Sequence, residues 1–189
     1  MKSILEKEGK KIHANLCEIS DYIYENPELG NKEFKSSEKL ISFLQDHNFE
    51  IEKEFLGIKT AFRATYDSKK EGATIGYLCE YDALPEIGHG CGHNMIGSMS
   101  AGAGIILSKV LDEVGGKIIV YGTPAEETNG AKVIFAEEGV FDELDAAMMV
   151  HPGDKTLASG KSMALYPLQF TYKGKTAHAA SCPHEGINA

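Results

Sequence analysis

Apolar residues recur along the first part of the chain at helical spacing. Ile12, Leu16, Ile19 and Ile23 form one stripe, which predicts an amphipathic helix ending before Pro27. Asn26-Pro27-Glu28-Leu29-Gly30 reads as a turn, because Pro and Gly interrupt regular structure. A second helix is expected next, capped by Ser36 or Ser37, with Leu40, Phe43, Leu44 and His47 on one face. Phe49 to Leu56 and Thr60 to Tyr66 read as two strands about a turn at Gly57, followed by a surface loop from Asp67 to Gly72.

From Thr74 onward short apolar runs alternate with helical patterns. The expected elements are strand Thr74–Cys79, helix Asn94–Leu111, strand Lys117–Gly122, helix Gly130–Glu138 and strand Asp145–Val150. This alternation predicts an α/β fold, a mixed and largely parallel sheet covered by helices in three layers. Gly97, Ser98, Ser100, Ala101, Gly102, Ala103 and Gly104 crowd the first of these helices. Each glycine weakens a helix by up to about 1 kcal/mol, so close packing against the sheet is expected there. Beyond His151, Ala158-Ser159-Gly160 and Leu165 to Tyr172 suggest further strands, Gly174 to Ala180 a polar loop, and Pro183 the start of a helix. An element beginning where the sequence ends, at Ala189, leads one to expect an incomplete fold.

Composition narrows the field. Hydrophobic residues make up 42% of the 189 residues, enough for a core and against disorder. The net charge of −9 argues against nucleic acid or an anionic membrane as partner. The opening residues lack the apolar stretch of a signal peptide, and no later run is long enough to span a bilayer. Cys17, Cys79, Cys91 and Cys182 show no disulfide-framework spacing, so reduced thiols and a cytoplasmic location are expected.

The densest chemistry lies in residues 80–94, between a predicted strand and a predicted helix. It contains Glu80, Asp82 and Glu86, His89 and His93, Cys91, and glycines at 88, 90 and 92. Such groups are costly to desolvate unless paired or bound to metal. Cys91 and His93, at i and i+2, offer a thiolate and an imidazole, a donor set suited to zinc. Read in isolation, such a pair is more often structural; a cysteine nucleophile with a histidine base is the lesser alternative, because the adjacent histidine is better placed to share a ligand than to accept the thiol proton. Glu126 and Glu127 follow the strand ending at Gly122. One could bind metal while the other serves as general base, or both could simply face solvent at a helix start. His151 ends an apolar strand and is either a ligand or a core-edge imidazole; Asp82 is either a turn residue or a group that orients a ligand. All of these follow strand carboxyl ends, where open parallel sheets form their ligand crevice.

Taken together and in order, the motifs resemble the M20 metallopeptidases, in particular the amidohydrolase branch that includes aminoacylase-1-like and p-aminobenzoyl-glutamate hydrolase-like proteins. The resemblance rests on Asn26-Pro27-Glu28-Leu29-Gly30 with Glu33, Glu80-Tyr81-Asp82-Ala83-Leu84-Pro85, and Gly88-His89-Gly90-Cys91-Gly92-His93-Asn94. It continues through Pro124-Ala125-Glu126-Glu127, His151-Pro152 and Gly174-Lys175-Thr176-Ala177-His178-Ala179-Ala180 to Ala189. It implies Cys91, His93, Glu127 and His151 as metal ligands, Glu126 as the general base acting on the catalytic water, and Asp82 as the acidic group beside the site. It implies two divalent metal ions, zinc or manganese, and small-molecule amide substrates: N-acyl amino acids, dipeptides or aminobenzoyl-glutamate. It implies a homodimer when full length, in which His178 reaches the active site of the other protomer as an oxyanion donor. Residues 1–163 would form the N-terminal part of the catalytic domain and 164–189 the beginning of a lid domain. Two departures stand out: Glu80-Tyr81-Asp82 replaces the His-x-Asp of many branches, and members of the family run to about twice this length, with a last histidine ligand near their C-terminus. An inactive fragment, or a metal-binding module without turnover, is the rival expectation.

Overall fold

The computed structural model describes residues 1–158, 164 and 168–189. The chain divides into two compact units, Met1–Asp154 and Lys155–Ala189. The expected domain boundary after residue 163 falls on a position outside the described residues.

In the first unit the chain runs α1 (Lys2–Glu25), α2 (Phe34–Gln45), β1 (Glu50–Lys53), β2 (Phe62–Asp67), β3 (Thr74–Cys79), α3 (His93–Ser108), α4 (Leu111–Val114), β4 (Lys117–Gly122), α5 (Ala131–Glu137) and β5 (Ala146–Met148). The sheet has the order β1-β2-β4-β3-β5. β1, β2 and β4 pair antiparallel, whereas β4, β3 and β5 pair parallel. Alternation along β4 shows why three layers result. Ile118 and Val120 pack with Ile19, Ile23, Leu40, Leu44, Ala101 and Ile105 from α1, α2 and α3. Ile119 and Tyr121 point the other way, onto Ala131 and Phe135 of α5. A period of two on a strand buried on both faces therefore requires helices above and below.

The helical stripe read in α1 is the buried one, with Ile19 and Ile23 in the core and Ile12 and Leu16 against it. The start of α2 differs from expectation: the helix begins at Phe34, and neither Ser36 nor Ser37 caps it. The Glu28 carboxylate instead accepts the N–H of Lys35 at 3.1 Å and that of Ser36 at 2.9 Å. The first strand stops at Lys53, where Glu54 and Leu56 turn to φ values of 50° and 53°. The helix expected to reach Leu111 breaks after Ser108, because the N–H groups of Lys109 and Val110 close tighter turns onto Ile106 and Leu107.

The small residues of α3 serve two neighbours. A Cβ on Gly104 would lie 2.7 Å from Val120 of the sheet, and one on Gly102 would lie 2.7 Å from Leu16 of α1. At Gly97 the obstacle is backbone, the carbonyl oxygen of Glu80 at 2.8 Å. Gly97→Ala is accordingly expected to destabilise the fold by about 1–3 kcal/mol, through overpacking against a group that cannot move aside. Urea denaturation measures this; an unchanged midpoint would contradict the tight approach of α3 to the end of β3.

In the second unit, Lys175 pairs antiparallel with Ile187. Only one 3-10 turn, Pro183–Glu185, forms where a helix is expected, since Gly186 is extended and Ile187 is held in that pairing. The stretch 168–172 forms no strand, and the strands expected over 159–160 and 165–167 lie outside the described residues.

Candidate metal centre

The parallel strands β3, β4 and β5 end side by side. After β3 the chain returns through α3 on one face; after β4 it crosses through α5 on the other. Strand order thus reverses about β3, and a crevice opens beyond the carboxyl ends at such a point. Glu80, Asp82, Cys91 and His93 arrive there from β3, Glu126 and Glu127 from β4, and His151 from β5.

Two neighbouring segments hold the 80–94 loop in place. Leu29 bridges Ala83, whose N–H donates to the Glu28 carbonyl at 2.8 Å, so the Asn26–Gly30 turn is a brace for this loop. Gly92, at φ 76°, then starts α3 with His93 as its first residue. A Cβ on Gly92 would stand 2.8 Å from the Pro152 ring, so glycine here admits the His151-Pro152 segment.

His93 is the centre of the arrangement and is 1% exposed. Its Nδ1 lies 2.9 Å from Asp82 Oδ1 and 3.0 Å from the Asp82 carbonyl oxygen. Both partners are acceptors, so Nδ1 carries a proton, and in the neutral ring Nε2 presents a lone pair. That lone pair faces Glu80 Oε2 at 3.3 Å, Glu127 Oε1 at 3.8 Å and Glu126 Oε2 at 3.9 Å. Among the described residues, His93 Nε2 and Glu80 Oε2 are buried without any hydrogen-bond partner. Lone pairs converging from an imidazole and several carboxylates repel unless a proton or a metal cation lies among them. Asp82 also accepts the Glu127 N–H at 3.0 Å through its other oxygen, tying the β4 loop to the β3 loop.

Among the described residues, two sets of donor atoms converge within 4.8 Å: Glu80, His93 and His151 in one, Cys91, His93 and Glu127 in the other. Both draw on the same His93 nitrogen, because Nδ1 is committed to Asp82. The His151 ring stands nearly perpendicular to that of His93, 6.1 Å away, and its Nδ1 lies 2.7 Å from the Pro152 carbonyl oxygen. An imidazole whose second nitrogen is held by a carboxylate or carbonyl is the usual form of a metal-ligating histidine. The donor set of imidazole, thiol and carboxylate fits a borderline divalent ion.

The local electrostatics have the same cause. The Glu127 carboxylate beside the Cys91 thiol, with burial and the charges of Glu126 and Asp82, pushes that thiol up to about 11. Such a thiol is a poor free nucleophile. Burial pushes the Asp82 carboxyl up, but the hydrogen bonds from His93 and the Glu127 N–H outweigh it and leave its pKa lowered.

Six of the seven expected site residues therefore meet: Asp82, Cys91, His93, Glu126, Glu127 and His151. His178 belongs to the second unit, where its Nδ1 accepts the N–H groups of Ala180 and Ser181 at 3.2 and 3.1 Å. Two residues absent from the expected set join the group. Glu80 is 1% exposed and pairs through its other oxygen with Lys132 in the first turn of α5. A signal for Glu80 was present, since residues 80 and 82 continue the two-residue alternation past a strand end and share a side.

Known proteins resemble the chain in sequence and in fold. The chain is 36% identical over 184 residues to the Xaa-Arg dipeptidase of Mus musculus, covering 90% of this chain and 42% of that protein. It is 35% identical over 192 residues to a p-aminobenzoyl-glutamate hydrolase polypeptide of Escherichia coli, covering 91% and 40%. It thus spans less than half the length of these curated relatives. Among solved structures, a dinuclear metal-binding M20-family peptidase, the YXEP protein of Bacillus subtilis, superposes with a TM-score of 0.64 at 25% identity, covering 73% of this chain and 42% of that one. With residues 61–185 matching the sequence profile of peptidase family M20/M25/M40, the chain belongs to that family.

Proposed function

We propose that the protein is a metal-dependent hydrolase of amide bonds in N-acyl amino acids, small dipeptides or aminobenzoyl-glutamate-like substrates. The observation that carries this is the His93 Nε2 lone pair, buried and facing three carboxylates, with a thiol and a second imidazole alongside. The names of the relatives, a dipeptidase and an aminobenzoyl-glutamate hydrolase, support the substrate class. Cys91, His93, Glu127 and His151 would hold two zinc or manganese ions, with Glu80 completing the donor set. When bound, the ions supply Lewis-acid polarisation of the scissile carbonyl and lower the pKa of a water.

The chain's own residues account for the remaining steps. Glu126, the most exposed of the converging carboxylates, takes a proton from water and delivers it to the departing nitrogen. Asp82 fixes the His93 tautomer and, through the Glu127 N–H, the position of the adjacent acid. Lys132 offsets the negative charge of buried Glu80. The assignment of His178 as an oxyanion donor across a homodimer belongs to the same proposal and rests on the motif resemblance; that of a cytoplasmic location rests on the cysteine spacing and the character of the opening residues. No helix among the described residues is long and apolar enough to cross a membrane.

The test is hydrolysis by the whole protein of N-acyl amino acids, β-alanyl dipeptides and aminobenzoyl-glutamate. At least one class is expected to turn over, to stop after chelation, and to resume with zinc or manganese. Failure of every class with either metal overturns the proposal.

A further inference from the structure

Glu33 is fully buried, lies some distance in sequence from every site residue, and takes no part in the chemistry above. It is the N-cap residue of α2, a position where a carboxylate ordinarily accepts N–H groups of its own helix. Here it makes no such bond. The task has passed to Glu28, whose carboxylate takes the N–H groups of Lys35 and Ser36 and the Ser36 hydroxyl. The Glu33 side chain is thereby released to turn away from α2.

It turns toward the loop after β4. Glu33 Oε1 accepts the N–H of Ala125 at 2.8 Å, and Oε2 accepts the Thr60 hydroxyl at 2.9 Å. The Thr60 carbonyl oxygen in turn accepts the Tyr81 hydroxyl at 2.6 Å, which connects the pair to the end of β3. Ala125 sits at φ 60°, a left-handed conformation that a residue with a Cβ adopts only when its surroundings hold it there. Gly30 packs against the same residue, with room for nothing larger: a Cβ there would lie 3.0 Å from the Ala125 Cα. Glu126 is the next residue, and its direction follows from the backbone of Ala125.

We propose that Glu33 is a positioning residue for Glu126: relieved of helix capping by Glu28, its carboxylate holds Ala125 in the left-handed conformation that aims the following side chain at His93. The inference rests on Glu126 being the base. Burial also pushes the Glu33 carboxyl above its ordinary pKa, against the hydrogen bonds it accepts, so its placement is not favourable for the carboxylate itself. What the placement needs is an acceptor at Oε1. A glutamine can supply one while its amide group faces the Thr60 hydroxyl, whereas alanine cannot.

The experiment uses the metal-loaded whole protein and three variants. Glu33→Ala is expected to lower kcat by about 10- to 100-fold, the effect of misplacing a reacting group, with KM and metal content unchanged. Glu33→Gln is expected to stay within a few-fold of wild type. Ala125→Gly in the Glu33→Ala background is expected to recover part of kcat, since glycine reaches positive φ without a clamp. Hydrogen exchange over residues 123–128, read by mass spectrometry, is expected to accelerate in Glu33→Ala and not in Glu33→Gln. Equal losses in Glu33→Ala and Glu33→Gln, or loss in proportion to unfolded protein, overturn the proposal. So does unchanged exchange at 123–128, whatever the activity. A wild type that hydrolyses no amide overturns the functional reading instead and leaves the exchange result to decide on the clamp.

Discussion

Glu126→Gln is expected to lower kcat for amide hydrolysis by about 10²- to 10⁴-fold, the range that a positioned acid–base group contributes. Metal content should not change with it, because Glu126 Oε2 stands 3.9 Å from His93 Nε2 and belongs to neither converging donor set. Glutamine keeps the size of the side chain and removes its capacity to take a proton. The neighbouring Glu127 is a poor substitute, since its N–H is fixed by Asp82 and its carboxylate lies against the Cys91 thiol. The decisive comparison is kcat against elemental analysis in one preparation. Near-normal turnover in Glu126→Gln would assign the proton transfer to another group. Lost turnover together with lost metal would make Glu126 a ligand.

The parts of this molecule that a sequence exposes are those decided locally. Thr74–Cys79 and Lys117–Gly122 occupy the strands that their apolar runs indicate. The stripe Ile12, Leu16, Ile19 and Ile23 is the buried face of α1 because its helical period puts all four on one side. The misreadings lie where a distant group intervenes. Ser36 resembles a cap, but the N–H groups at the start of α2 are taken by Glu28, part of a turn whose own geometry is fixed by Ala83. A helix after Pro183 is cut short by pairing of Ile187 with Lys175. At the site, Cys91 and His93 are ambiguous alone and gain meaning only when Glu127 and His151 come from other strand ends. Glu80 is the instructive omission. Its carboxylate stands in the 80–94 loop among groups costly to desolvate, but only burial shows it wedged between Lys132 and His93.

Metal affinity is expected to fall most on loss of His93. Both donor sets depend on its Nε2, so His93→Ala removes from each the one atom they share. It also leaves the carboxylates of Glu80, Glu126 and Glu127 facing one another without the imidazole between them. Asp82→Asn provides the scale, because it spares the ligands themselves and alters only the carboxylate that holds the His93 Nδ1–H and the Glu127 N–H. The asparagine amide can present a donor where Nδ1–H now points, which favours the tautomer protonated on Nε2 and hides the lone pair. Such a change behind a ligating histidine costs about 10- to 100-fold in metal affinity. His93→Ala is therefore expected to weaken binding by more than about 100-fold, and Cys91→Ala, which touches one donor set alone, by less than His93→Ala. Competition titration against a chromophoric chelator ranks the three variants, with circular dichroism confirming that each is folded. If folded His93→Ala binds zinc as tightly as Cys91→Ala does, the centre is not organised around His93, and the ligand set must be redrawn around Glu127 and His151.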